Sequence, residues 1–239
     1  GRADGLPVRV SAMVRAKSLD FAGYDDFHFG PPRAAADNAQ SDDEEATAAQ
    51  DTKVIADALP LVLDRQGAGR VDLKALPRGN QARELLIEAT YADPSGEVQT
   101  LRSTQTLWPA AVVAGIQAEN WVSTEREMQF QALALGLDGK PQAGVALKVQ
   151  ALARITTSSR KRLVGGFYSY DNQTTLKDLG TVCSGKSDAQ GRLHCTAKIA
   201  QAGEVELVAT ASDSAGNEAQ AATSVWVTRQ GELWFGGED

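Results

Sequence analysis

The 239-residue sequence predicts an all-β chain folded as two consecutive antiparallel β-sandwiches, and three observations predict it. A set of motifs occurs twice in one order. Gly5-Leu-Pro-Val-Arg-Val-Ser-Ala-Met-Val-Arg15 reads onto Gly144-Val-Ala-Leu-Lys-Val-Gln-Ala-Leu-Ala-Arg154. Gly69-Arg-Val-Asp-Leu73 reads onto Gly191-Arg-Leu-His-Cys195, and Ala89-Thr-Tyr-Ala-Asp-Pro-Ser-Gly96 onto Ala209-Thr-Ala-Ser-Asp-Ser-Ala-Gly216. Three matches in the same order mean one domain type used twice. Apolar and polar residues alternate: Val8, Val10 and Ala12 with Arg9 and Ser11; Leu147, Val149 and Ala151 with Lys148 and Gln150; likewise Leu85, Ile87, Ala89 and Val205, Leu207, Ala209. A period of two puts one face of a strand in a core and the other in water. Between the strands lie Asp93-Pro-Ser-Gly96, Asp138-Gly-Lys-Pro141, Asp188-Ala-Gln-Gly191 and Asp213-Ser-Ala-Gly-Asn217, where Asp caps a turn and Gly supplies positive φ.

In chain order, residues 1–110 form the first sandwich and 111–230 the second, with 231–239 leading onward. Trp108-Pro-Ala marks the boundary between them. The second copy has two early strands, Val112–Ala118 and Met128–Leu135, ahead of the Asp138-Gly-Lys-Pro141 turn. The first copy has no counterpart to them, because Gly5 is already past the matching turn. We therefore expect a chain that begins inside a domain, lacks the N-terminal strands of its first sandwich, and is completed by upstream sequence. Each copy carries an insertion at the same topological place. The first, from about Lys17 to Lys53, holds Tyr24-Asp-Asp-Phe-His-Phe-Gly-Pro-Pro32 and then an acidic Ala/Asp/Glu/Gln tract over about 33–52, including Asp42-Asp-Glu-Glu45. So few large apolar residues predict a disordered or mobile tract. The second is a long loop over 155–180 containing Ser158-Ser-Arg-Lys-Arg-Leu-Val-Gly-Gly-Phe-Tyr-Ser-Tyr170, with Thr174-Thr-Leu-Lys-Asp-Leu179 suited to one helical turn.

Bulk properties narrow the function classes. A net charge of −7 argues against nucleic acid, which needs a basic face. No stretch approaches the roughly 20 apolar residues that span a bilayer. Neither an initiator Met nor a signal peptide opens the chain, so any membrane anchor is expected outside this sequence.

The residue chemistry points away from catalysis. His194 alternates with Leu193 and Cys195 and is expected to face solvent; His28, between Phe27 and Phe29, is expected to pack rather than to act as a base. The carboxylates fall in turns and in the acidic tract rather than as a converging pair. Gly165-Gly166 is followed by aromatics, not by a phosphate-binding Lys-Ser. No cofactor or metal site is expected. Arg160-Lys-Arg162 reads as a solvated loop, with an anion patch or a protease-sensitive site as alternatives, and Phe167, Tyr168 and Tyr170 as packing residues. Trp108, Trp121, Trp226 and Trp234 are expected at core corners or inter-domain contacts. The repeat aligns Cys183 with Leu61 and Cys195 with Leu73, both apolar inward positions. A disulfide between strands joined by Asp188–Gly191 fits and would imply an oxidising compartment. The alternative is two buried free thiols acting as small hydrophobes.

Arg160-Lys-Arg-Leu-Val-Gly-Gly-Phe-Tyr-Ser-Tyr170, with Leu179-Gly-Thr-Val-Cys-Ser-Gly-Lys-Ser-Asp188 and Gly191-Arg-Leu-His-Cys195, resembles bacterial alpha-2-macroglobulin. Val205-Glu-Leu-Val-Ala-Thr-Ala-Ser-Asp-Ser-Ala-Gly-Asn217, Ser224-Val-Trp-Val227 and Trp234-Phe-Gly236 extend the resemblance, as does Tyr24–Pro32 in the preceding domain. It implies two macroglobulin-like (immunoglobulin/fibronectin-like) sandwiches upstream of a bait-bearing domain. It also implies a periplasmic, broad-spectrum peptidase inhibitor, often a lipoprotein at the inner membrane, that traps proteases after bait cleavage. Its partners would be neighbouring macroglobulin-like domains and, through the parent chain, target proteases. The family's thioester motif is close to Cys-Leu-Glu-Gln, whereas Cys183 precedes Ser-Gly-Lys and Cys195 precedes Thr-Ala-Lys, so no functional residue carries over. The competing readings are immunoglobulin-like modules of a bacterial surface adhesin and a non-catalytic sandwich of a secreted enzyme.

Overall fold

Alternating and β-branched segments become strands throughout the structure, a computed structural model describing residues 4–33, 52–74, 76–162 and 168–229, with backbone alone at 161–162 and 168–171. The acidic tract, Leu163–Phe167 and Trp234 lie outside the described residues. The strands are β1 Pro7–Ala16, β2 Lys53–Val62, β3 Arg83–Ala92, β4 Val98–Leu107, β5 Val112–Ala118, β6 Trp121–Ser123, β7 Met128–Gly136, β8 Ala146–Arg162, β9 Tyr168–Lys186, β10 Arg192–Ala197, β11 Gly203–Ser212 and β12 Glu218–Thr228. The described chain is all-β, as the alternation predicts. It divides into two units: 4–18 with 52–109, and 19–33 with 110–229.

The second unit is a sandwich of a three-stranded sheet, order β10-β7-β5, and a five-stranded sheet, order β6-β12-β11-β8-β9. All pairings are antiparallel except β12 with β6. Between the sheets lie Ile116, Met128, Phe130, Ala132, Leu147, Val149, Ala151, Val205, Leu207, Ala209 and Val225, all 0–2% exposed. Burying one such side chain contributes roughly 1.5–3 kcal/mol. The alternation in β7 stops halfway: after Met128 and Phe130, every residue from Ala132 to Gly136 is buried, so this end of β7 is covered on both faces.

The first unit has one described sheet, order β2-β1-β3-β4, which is the counterpart of β9-β8-β11-β12. The correspondence reaches irregularities. β1–β2 slips register after Val10 and again after Ala12; β8–β9 slips after Val149 and Ala151, the equivalent residues. That register pairs Val10 with Leu59 and Val149 with Cys183, so Leu59, not Leu61, stands where Cys183 does. The two residues share strand parity, which leaves the inward assignment unchanged. Gly69–Leu73, the counterpart of β10, forms no strand. β10 pairs with β7, and the described first unit holds no strand equivalent to β7. The face of this described sheet keeps Val8, Val10, Ala12, Val14 and Leu85 buried, with Leu59, Leu73, Ile87 and Leu107 half-buried against them. Leu101 stands 63% exposed where its counterpart Ala221 is fully buried.

Four turns share one construction, and Asp138, which accepts only the Lys140 N–H and has its positive-φ glycine one position on, is built differently. Asp64, Asp93, Asp188 and Asp213 each accept two backbone N–H bonds, from the residues two and four positions on, at 2.8–3.0 Å. The residue three positions on is Gly67, Gly96, Gly191 or Gly216, with φ between +76° and +88°, a region open to glycine without a Cβ clash. Asp213 also accepts the Ala111 N–H at 2.9 Å, tying the β11–β12 turn to the start of the second unit. The Ser95 hydroxyl holds the Asp93 carboxyl below the usual aspartate range, the Arg192 N–H does so for Asp188, and the Ala111 N–H for Asp213.

Two outcomes follow. A carboxyl with a depressed folded-state pKa contributes stability that is fully present above its unfolded value, about 3.9, and is lost as pH falls through the depressed value. Urea midpoints of the wild type should fall as pH drops from about 5 towards 2, and less steeply in Asp93→Asn/Asp188→Asn/Asp213→Asn. Equal slopes would exclude this role for the turns. Hydrogen exchange at β4 amides should run at least about tenfold faster than at the equivalent β12 amides, because among the described residues no facing sheet covers β4; equal protection would show that the first unit's sheet is covered.

Candidate functional site

Cys183 on β9 and Cys195 on β10 are joined, with Cα atoms 6.0 Å apart. The strands on either side of the Asp188–Gly191 turn are not hairpin partners, however. β9 pairs with β8 in the five-stranded sheet, and β10 pairs with β7 in the three-stranded sheet. The bond therefore links the outermost strand of one sheet to the outermost strand of the other. Cys195 is 5% exposed and Cys183 half-buried, so only one sulfur lies in the deep core.

The opposite side of the sandwich is closed by residues 19–33. His28 forms a β-bridge with Ile116 on β5: the His28 N–H donates to the Ile116 carbonyl at 2.8 Å, and the Ile116 N–H to the His28 carbonyl at 3.0 Å. Phe29 is 7% exposed and lies against Gly115, where a Cβ would come within 2.8 Å of its ring. Phe21 packs edge-on to Phe29 with centroids 5.0 Å apart and lies against Gly139. The Arg192 guanidinium stands 5.4 Å from the Phe27 ring centroid, a cation–π distance. The segment then reaches the outer sheet. The Ala222 N–H on β12 donates to the Gly30 carbonyl at 2.9 Å, and the Arg33 N–H donates to Glu206 Oε1 at 2.8 Å. Arg154 Nη2 donates to the Arg33 carbonyl at 3.2 Å. The Arg33 guanidinium pairs with Glu204 and donates to the Ser224 hydroxyl at 2.9 Å. Glu206 and Arg154 are 2% and 6% exposed and face each other at 3.9 Å.

Other residues singled out in the sequence are dispersed. His194 is exposed, with Nε2 3.9 Å from Asp188. His28 takes part through its backbone while its side chain is exposed, so Phe29 packs where His28 was expected to. Residues 155–162 and 168–180 are strand rather than loop, and Thr174–Leu179 lies inside β9 with no helical turn. β-Branched threonines favour this, and the Thr156 and Thr174 hydroxyls bond across the strands at 2.9 Å. The β8–β9 ribbon extends beyond the last β11 pairing at Arg154, out to Arg162 opposite Tyr168. Trp121 and Trp226 are register partners on β6 and β12 and stand 63% and 56% exposed, not in core corners. Beside the disulfide, an open groove of about 330 Å³ is lined by Ala151, Leu179, Val182 and Ile199 with Lys177 and Lys198 exposed. It offers an apolar floor and positive charge but no nucleophile–base pair. Among the described residues no group of three or more His, Cys, Asp or Glu is placed to hold a metal.

The sequence reading missed the role of residues 19–33, and two signals marked it. Ala132-Leu-Ala-Leu135 is an unbroken apolar run, which in a strand indicates burial on both faces. Gly115, in the middle of β5 and without a positive φ, leaves a gap that the Phe29 ring fills.

Replacing both cysteines by alanine should lower stability by about 3 kcal/mol, the effect of closing a loop of this length, read as a lower urea midpoint. A loss of under about 1 kcal/mol would mean that the sheet edges hold without the bond.

No protein-family model and no curated protein sequence matches the chain. Solved structures do. The native conformation of E. coli alpha-2-macroglobulin aligns over 95% of this chain with TM-score 0.60 and 16% identity. Salmonella alpha-2-macroglobulin reacted with methylamine gives 0.59 and 14% over 95%. Escherichia coli alpha-2-macroglobulin activated by porcine elastase gives 0.54 and 18% over 95%. The chain spans only 14–19% of the length of those chains. At these identities the likeness is one of fold: this chain has the fold of a segment of bacterial alpha-2-macroglobulin.

Proposed function

We propose that the chain is a structural scaffold segment of a bacterial alpha-2-macroglobulin, a broad-spectrum inhibitor that traps peptidases after they cut a bait region. The fold match over 95% of the chain carries this reading. The motif around Arg160–Tyr170 and the turns from Asp188 to Asn217 support it. In this role the segment is neither catalytic nor inhibitory. Both sulfurs are engaged in the Cys183–Cys195 bond, so neither serves as a thioester. That bond also supports an oxidising compartment, which we take to be the periplasm, with an inner-membrane lipid anchor and the bait region supplied elsewhere in the parent chain.

The test uses the parent protein and this chain side by side with trypsin and with elastase. The parent should leave each protease active on a small chromogenic peptide while blocking digestion of a large protein. This chain alone should block neither. A parent that leaves large-protein digestion untouched would refute the trap. Inhibition of both proteases by this chain would refute its scaffold role.

A further inference from the structure

We propose that the open side of the second unit is a binding site for a peptide segment that adds to the β5 edge, and that residues 19–33 are its built-in ligand. The site has three parts, each on the rigid sandwich. The first is the edge of β5, which has β7 on one side only and offers Ile116 backbone groups to an incoming strand. Adding a strand to a free edge is a general mode of peptide recognition, in which main-chain bonds give affinity and side-chain slots give selectivity. The second part is a pair of slots. Gly115 and Gly139 leave room that Phe29 and Phe21 fill, and Cβ atoms at either glycine would meet those rings at 2.8–2.9 Å. The third is a charge clamp. Buried Glu206 takes the Arg33 N–H while buried Arg154 takes its carbonyl, and Glu204 with Ser224 takes the guanidinium. Glu206 Oε2 makes no hydrogen bond of its own. The ligand class is therefore a segment with two successive turns over Phe21–Phe27, aromatics at its start and centre, a Gly-Pro-Pro without a turn, and an arginine at its end.

A ligand tethered to its own site is present at an effective concentration of about millimolar. It holds the site closed to competitors yet remains exchangeable. That separates a bound segment from an ordinary part of the core, and it makes the proposal testable in the full chain. The residue pairs to follow are Ile116 and Ala222, whose amides donate to strap carbonyls. In the variant Phe29→Ala/Arg33→Ala, their exchange should speed up about tenfold or more, with β8 and β11 unchanged. Millimolar free peptide of residues 19–33 should restore the protection, and the same peptide carrying both alanines should not. Arg33→Ala alone, which alters a half-exposed side chain, repeats the measurement with the aromatic slots intact should the double variant not fold. Unchanged exchange in the variants would show that the segment does not cover these sites. Faster exchange that excess peptide does not restore would show it to be a fixed part of the domain. Neither outcome depends on whether the parent protein inhibits proteases.

Discussion

The structure depends on how the two sheets of the second unit end. Stacking two sheets buries a core, but it leaves unpaired edges on both sides, and an open edge invites other strands. Here each side is closed by a different device. Where β9 and β10 end the two sheets, a covalent bond joins them. Where β5 and β12 lie, residues 28–33 pair with Ile116, cross the gap and bond Ala222. The covalent closure acts chiefly by restricting the unfolded chain. The peptide closure acts in the folded state and depends on which side chains fill the slots. Fully burying a ring such as Phe29 contributes roughly 1.5–3 kcal/mol. The Glu206–Arg154 pair contributes position more than energy, because desolvating two charges offsets most of their attraction.

Much of this was legible in the sequence because it is written locally. The Asp-x-x-Gly turns and the alternation in β1 and β8 fall within windows of about ten residues and folded as read, whereas β11 is buried on both faces, with Glu206, Val208 and Thr210 covered as well as Val205, Leu207 and Ala209. Asp64-Arg-Gln-Gly67 shows how strong the turn signal is: it forms the same turn as the other three. What the sequence hid are relations between distant residues. Nothing near Phe29 says that it will lie against Gly115, and nothing near Arg33 says that Glu206 will take its N–H. Residues 19–33 look like a loop because their partners lie about 90 to 190 positions away and they contribute only a single bridge to regular pairing. The ribbon beyond Arg154 misled for the opposite reason. Its threonines and serines are polar on both faces, so no alternation marked it as strand.

The two copies diverged in a way that separates what a sheet needs from what a sandwich needs. The paired bulges after Val10 and Val149, and again after Ala12 and Ala151, persist in both, so they belong to the geometry of the four-stranded sheet itself. A bulge adds local twist, and both sheets carry it, although among the described residues a second sheet faces only the one in the second unit. The facing surface follows the other rule. In β12 the inward positions are Ala219, Ala221, Thr223, Val225 and Val227; in β4 they are Gln99, Leu101, Ser103, Gln105 and Leu107. β4 carries polar residues at positions where β12 carries mostly apolar ones. Glutamine and serine there remain hydrated, whereas burying them without partners would cost free energy. The apolar stripe centres on β1 and β3, with Ala56 and Leu59 of β2 and Leu107 of β4 at its margins and Leu73 packed against it. A second sheet laid on the first unit would thus find its apolar footing over β1 and β3 rather than over β4. The first copy keeps the sheet's internal geometry but not the second copy's pattern of contact.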